Sequence, residues 1–151
     1  MRGLRPALWL AGLVVFAGAA GTSAAPFAYV ANSLSNDVSV LDIATNSVVA
    51  TVAVGRYSQG VAVTPDGTHV YVTNTVDNTV SVIDTSLNLA LTTIPVGLSP
   101  QGLAMPRDGS RVYVANTNDN TMSVIDTATN LVVATAPVGN GPIAFGEFIG
   151  P

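Results

Sequence analysis

His69 is the sole histidine of the chain, and there is no cysteine. Those two counts decide much of the available chemistry. Zinc and haem sites of the usual ligand sets draw on several His or Cys side chains, so no metal and no cofactor is expected. A Cys nucleophile is excluded, and a Ser-His-Asp triad would have only His69 to use. His69 follows the Asp66-Gly67 turn, at the place Arg111 takes in the next unit, and reads as an exposed residue at a strand start. The other proton-transfer groups are Glu147 and eight aspartates. Asp42, Asp84 and Asp126 recur every 42 residues. A catalytic pair should be singular, because the reaction happens once. Recurrence points instead to turn building, and no catalytic residue is expected.

Binding is the chemistry left. Two sets of loops are candidates, because loops on a rigid scaffold commonly carry function. One set holds Asn36, Asp77-Asn78 and Asp119-Asn120. The other leads into short apolar runs: Arg56-Tyr57-Ser58-Gln59, Leu98-Ser99-Pro100-Gln101 and Asn140-Gly141-Pro142. Strand parity puts both sets at one end of the molecule. The candidate binding residues are Arg56, Tyr57, Gln59, Asp77, Asn78, Gln101, Asp119 and Asn120. Arg56-Tyr57 is the least repeated part of the core, and Arg and Tyr are favoured contact residues. The plainer reading is that these are ordinary solvated turns. Weak Ca²⁺ binding by Asp77 and Asp119 would need converging loops, and one carboxylate per loop argues little for it.

The elements that position these loops are repeats. Tyr29, Tyr71 and Tyr113 are 42 residues apart, as are Gly55, Gly97 and Gly139. A period near 42 falls in the propeller range. A full unit reads as four short strands. Gly60–Thr64 is an apolar run, and Pro65-Asp66-Gly67 a tight turn with Gly in the left-handed position. Val70–Thr73 is rich in β-branched and aromatic residues. A polar loop, Asn74–Asn78, precedes Thr79–Asp84, which alternates with period two. Asp84 opens a turn ending at Asn88, since Asp can bond its own backbone two residues on and Asn tolerates positive φ. Leu89–Ile94 is the fourth strand. The mature chain shows no helical spacing, so the fold class is all-β: about three four-stranded antiparallel blades forming a partial β-propeller.

Tyr71-Val72-Thr73-Asn74 spells the motif of the YVTN β-propeller repeats, and the chain resembles that family. Val61–Gly67 (V-A-V-T-P-D-G), Ser81–Asp84 and Ser123–Asp126 (S-V-I-D), and Thr127–Asn130 (T-A-T-N) also look like it. Residues 29–32 and 113–116 read Y-V-A-N, a common variant. Gly141–Pro151 looks like the way such exported chains finish. The resemblance covers Phe27–Pro151. It implies four-stranded blades around an axis, in exported proteins of bacteria or archaea, some of them cell-surface layer components. Family members usually close about seven blades, and this chain has three units.

Composition fits export. The chain is 48% hydrophobic and 9% charged. Arg2 and Arg5 precede the uncharged run Ala7–Gly21 and the small residues Thr22-Ser23-Ala24-Ala25, the order of a secretory signal peptide. The run is shorter than the ~20 residues that span a bilayer, although an uncleaved anchor is the alternative. Cleavage near Ala24 or Ala25 would leave no membrane span and place the protein in the periplasm or at the cell surface. Residues 26–151 carry three arginines, no lysine and nine carboxylates. No basic patch for nucleic acid can be assembled from that set.

The units divide as blade 1 (27–55), blade 2 (56–97), blade 3 (98–139) and a closing strand (140–151), whose run Ile143–Phe148 matches Gly60–Thr64. The first blade thus lacks an inner strand and the last strand lacks a blade. Neither terminal unit is polar enough to act as a cap. Head-to-tail self-association by strand sharing is expected, with a protein or cell-surface ligand as the other class of partner. The functional expectation is a non-catalytic exported binding or scaffold module. The alternatives are a fragment or degenerate copy of a longer seven-bladed propeller, and a redox or hydrolytic propeller enzyme.

Overall fold

The computed structural model describes residues 27–144 and Ile149. The expected signal segment (1–25) lies outside the described residues, and so does the expected closing strand beyond Ala144. The first unit supplies β1 (Phe27–Asn32), β2 (Asp37–Asp42) and β3 (Ser47–Ala53), hydrogen-bonded in that order. The second supplies β4 (Ser58–Val63), β5 (His69–Asn74), β6 (Thr79–Asp84) and β7 (Leu89–Pro95) as one four-stranded sheet. The third repeats it with β8 (Pro100–Ala104), β9 (Arg111–Asn116), β10 (Thr121–Asp126) and β11 (Leu131–Pro137). All pairings are antiparallel between sequence neighbours. Among the described residues no helix is long and apolar enough to cross a membrane.

The blades stack face to face, which explains why the middle strands are apolar on both sides. Successive side chains of a strand point to opposite faces. In β5, Tyr71 joins the core against blade 3, while Val70 and Val72 join the core against blade 1. Val80 and Val82 of β6 likewise face blade 3, and Ile83 faces blade 1. All six are at most 1% exposed. Full burial of such a side chain contributes roughly 1.5–3 kcal/mol, so these two stripes hold blade to blade.

The turns follow the predicted chemistry. Asp84 Oδ1 accepts the Ser86 and Leu87 amides at 2.8 and 3.0 Å, and Asp42 and Asp126 repeat this. Asn46, Asn88 and Asn130 have φ of 53°, 49° and 55°, and Gly67 has φ of 71°.

Three expectations shift. The inner strands begin two residues earlier than the apolar runs, at Ser58 and Pro100, because a register irregularity between Ser58 and Val61 lets Ser58 pair with Asn74. Asn74 does not open the polar loop. It ends β5 and is fully buried, its Nδ2 donating to the Thr79 and Ser81 hydroxyls at 2.9 Å each. His69 is partly buried rather than exposed, because it pairs across strands with Asp84.

Candidate functional site

Both candidate loop sets do lie at one end of the arc, where they touch. The cause is a repeated brace. Two lead-in loops each present two successive backbone N–H groups to two different blades. The Leu98 N–H reaches Asp119 Oδ2 at 2.6 Å, in its own blade, and the Ser99 N–H reaches Asn78 Oδ1 at 2.8 Å, in the blade before. One unit earlier the Arg56 N–H reaches Asp77 Oδ2 at 2.7 Å and the Tyr57 N–H reaches Asn36 Oδ1 at 2.9 Å. One unit later the Gly141 N–H reaches Asn120 Oδ1 at 2.8 Å.

The geometry needs left-handed backbone on both sides. Asn36, Asn78 and Asn120 have φ of 55–60°, as do Tyr57 and Ser99 with 57° and 56°. Asn visits this region more readily than other side-chain-bearing residues. For Tyr57 it is an unfavourable conformation that the braces must hold.

Asp77, Asn78, Asp119 and Asn120 therefore direct side-chain acceptors to the protein's own backbone N–H groups. The Arg56 backbone N–H, then its side chain, hold the Asp77 carboxyl below the usual carboxylate range. Asp77 and Asp119 serve different junctions, and among the described residues no three His, Cys, Asp or Glu gather as a metal site would require.

Arg56 and Tyr57 are presented differently. Arg56 Nε donates to Asp77 Oδ1 at 2.6 Å, yet its side chain remains 68% exposed. Tyr57 is 40% exposed. Gln59 and Gln101 are half-buried on β4 and β8. The Thr75 hydroxyl reaches the Gln59 side-chain oxygen at 3.1 Å and the Pro100 carbonyl at 2.8 Å. The Gln101 carbonyl accepts the Thr73 hydroxyl at 2.8 Å. The structure thus gathers Arg56, Tyr57, Asp77 and Asn36 around one junction, and Asn78, Ser99 and Asp119 around the next.

At the opposite end, a groove of about 410 Å³ lies between blades 2 and 3, lined in part by Asp66, His69, Tyr71 and Asp108. Sequence reasoning did not place it. Tyr71 donates its hydroxyl to Asn130 Oδ1 at 2.7 Å, and burial, then Asp126 and Asp66, push its pKa up to about 12. Hydrogen bonds from the Thr64 hydroxyl and then from Thr68 hold Asp66 at about 2. His69 Nδ1 and the Thr68 hydroxyl are 2.9 Å apart. The aspartates at this end are occupied in turns: Asp108 Oδ1 accepts the Ser110 amide and hydroxyl at 2.9 Å each. Tyr71 and Asn130 lie in different units, so no local sequence signal marks the groove.

A family model for YNCE-like β-propellers matches residues 1–94. No curated protein matches the chain. Among solved structures, hydrazine synthase of Kuenenia stuttgartiensis is similar, with 32% identity and a TM-score of 0.75 over 78% of this chain and 34% of that one. Dihydro-heme d1 dehydrogenase NirN has 22% identity and a TM-score of 0.68 over 79% of this chain and 26% of that one. A functionally unknown protein from Desulfotomaculum acetoxidans has 22% identity and a TM-score of 0.63 over 78% of this chain and 40% of that one. The chain spans between a quarter and two fifths of these structures, and at 22% identity the last two speak for the fold alone.

Proposed function

The chain belongs to the YNCE-like β-propeller family, and on that footing we propose that it is a non-catalytic binding or scaffold module, exported to the periplasm or cell surface, with its ligand-facing end at Arg56 and Tyr57. One observation carries this reading. The backbone of the lead-in loop is the same at each junction, but the side chains mounted on it are not. Leu98-Ser99 takes the same brace that holds Arg56-Tyr57, and Gly141 takes the half of it that reaches the blade before. A large cation and an aromatic ring thus project from a backbone fixed to two blades, and little ordering entropy remains to oppose contact with a ligand.

Cosedimentation of the purified protein with isolated cell envelopes tests this reading. Arg56→Ala with Tyr57→Asn, which keeps a residue tolerant of positive φ, is expected to weaken retention about tenfold or more, as loss of an Arg and Tyr anchor does. Equal retention of variant and wild type overturns the placement of the surface. Hydrolysis of p-nitrophenyl acetate or of a simple lactone that disappears in the same variant overturns the non-catalytic reading. N-terminal sequencing of the mature protein should begin at Ala25 or Pro26, and a chain retaining Met1 contradicts export with cleavage.

A further inference from the structure

Two junctions of the same design differ by one side chain, and the difference leaves a carboxylate open. In the junction of blades 1 and 2 both oxygens of Asp77 are taken. Oδ2 accepts the Arg56 N–H at 2.7 Å, and Oδ1 accepts Arg56 Nε at 2.6 Å. One period later the backbone bond is repeated, with the Leu98 N–H 2.6 Å from Asp119 Oδ2. The guanidinium is not repeated, because residue 98 is leucine. Among the described residues Arg56 pairs with Asp77 and Arg111 with Asp126, and no cation pairs with Asp119. Asp119 is exposed where Asp77 is partly buried.

Asp119 also borders a groove. A hollow of about 360 Å³ lies between the end of β7 and strands β10 and β11, lined in part by Val96, Gly97, Asp119, Thr121, Ser123 and Val132. That is near the lower end of the roughly 300–1,000 Å³ of small-molecule sites, a size for one side chain rather than a cofactor. Asp119 is the one charged residue in its lining among the described residues. Gly97 leaves the carboxylate uncovered, since a Cβ there would stand 2.6 Å from Asp119 Oδ2.

We propose that this groove receives an arginine side chain of a protein ligand, whose guanidinium takes at Asp119 the place that Arg56 takes at Asp77. Charge and chemistry argue for this occupant. An anion is repelled by Asp119. A Ca²⁺ ion takes 6–8 oxygen ligands, and among the described residues no three His, Cys, Asp or Glu gather to supply them. A guanidinium needs a carboxylate for its N–H edge and apolar surface along its stem. Asp119 offers the first, and Val96 and Val132 the second. The Arg56–Asp77 pair shows the same union within the chain. The proposal adds a second contact to the ligand-facing end read above and rests on that reading for the kind of ligand. A small probe tests the groove alone and envelope cosedimentation tests that reading, so the two fail separately.

Acetyl-arginine amide is the probe, followed by backbone amide chemical shifts of the isotope-labelled protein. The titration is run at low ionic strength, because a single exposed ion pair is weak and is screened by salt. Shifts centred on Gly97, Leu98 and Asp119 are expected. Acetyl-citrulline amide, which has nearly the same shape without the charge, should leave these residues unmoved. An unmoved spectrum with the arginine probe overturns the proposal, and so does an equal response to the citrulline probe or to calcium chloride at matched ionic strength. An equal response to acetyl-lysine amide overturns the choice of a guanidinium.

Three variants tie the response to the groove. Asp119→Asn keeps an acceptor for the Leu98 N–H and should abolish it. Leu98→Arg supplies the guanidinium from within, as Arg56 does one period earlier, and should also abolish it while the rest of the spectrum stays in place. Arg56→Leu puts at residue 56 the side chain that the same brace already carries at Leu98. It should open a second site, with new shifts at Gly55 and Asp77. An undiminished response in either of the first two variants, or no new site in the third, overturns the proposal.

Discussion

The side-chain oxygen of Asn78 sits 2.8 Å from the backbone nitrogen of Ser99, in the next blade. The bond fixes two left-handed residues at once, since Asn78 has φ of 57° and Ser99 of 56°. It joins blade to blade at the polar end, where the apolar stripes do not reach.

Asn78→Gly should remove the bond without straining the left-handed backbone, and Asn78→Ala should remove the bond and strain that backbone. The first is expected to cost about 1 kcal/mol, the net worth of one hydrogen bond. The second should cost about 1–2 kcal/mol more, the strain of a left-handed alanine. Urea unfolding of the two variants separates the terms, and identical midpoints would refute the division.

Gly97→Ala puts a Cβ 2.6 Å from Asn116 Cγ and from Asp119 Oδ2. Asn116 is 0% exposed and cannot swing into solvent. A loss of about 1–3 kcal/mol, typical of overpacking, is expected. Thermal unfolding should show Gly97→Ala clearly less stable than wild type.

Thr73 distinguishes the middle blade from its neighbours, which carry Ala31 and Ala115 at that position. Its buried hydroxyl accepts the Gly60 N–H and donates to the Gln101 carbonyl, both at 2.8 Å. Thr73→Ala should cost about 1–3 kcal/mol, because the Gly60 N–H is left buried without a partner. Val at this position should cost as much, since it restores volume without a hydroxyl. A neutral Thr73→Val in urea unfolding would argue against the bridge.

Stability should fall at both extremes of pH. Asp66, at about 2 instead of 3.8, binds fewer protons folded than unfolded. Its stabilisation is present above about pH 4 and is lost as pH drops toward 2. Asp77, Asp84, Asp108 and Asp126 are shifted in the same direction, the first by the Arg56 backbone and the second by the Ser86 hydroxyl. Tyr71 works the other way. Raised from 10.0 to about 12, it favours the fold below pH 10 and ceases to do so as pH climbs through 12. Tyrosinate absorbance followed alongside circular dichroism should show Tyr71 ionising with alkaline unfolding. Tyr71→Phe should shift the alkaline limb upward and leave the acid limb in place.

The blades were readable because their signals are local. The Asp84-to-Asn88 turn and the strand run Thr79–Asp84 each describe a few adjacent residues, and each appears in the structure as an element where it was read. The braces were not readable in that way. Asn78 and Ser99 lie in different units, so neither shows its purpose in its own neighbourhood. A polar residue after a strand looks like a solvated loop whether it faces water or a neighbour's amide. Asn74 misleads similarly: its side chain suggests the surface, but the Thr79 and Ser81 hydroxyls give its amide group partners in the interior. Arg56 and Tyr57 stood out by breaking the repeat, and the structure adds the two hydrogen bonds that tie their backbone to Asp77 and Asn36.

Because each lead-in loop ties its own blade to the blade before it, every junction is assembled from parts one period apart. Inserting or deleting a whole period at the level of the gene leaves each remaining junction with its full set of partners. Inserting half a period would orphan a brace on both sides. Recombination between near-identical coding repeats can therefore change the number of blades without passing through a misfolded intermediate, and ring closure is left to select which counts persist.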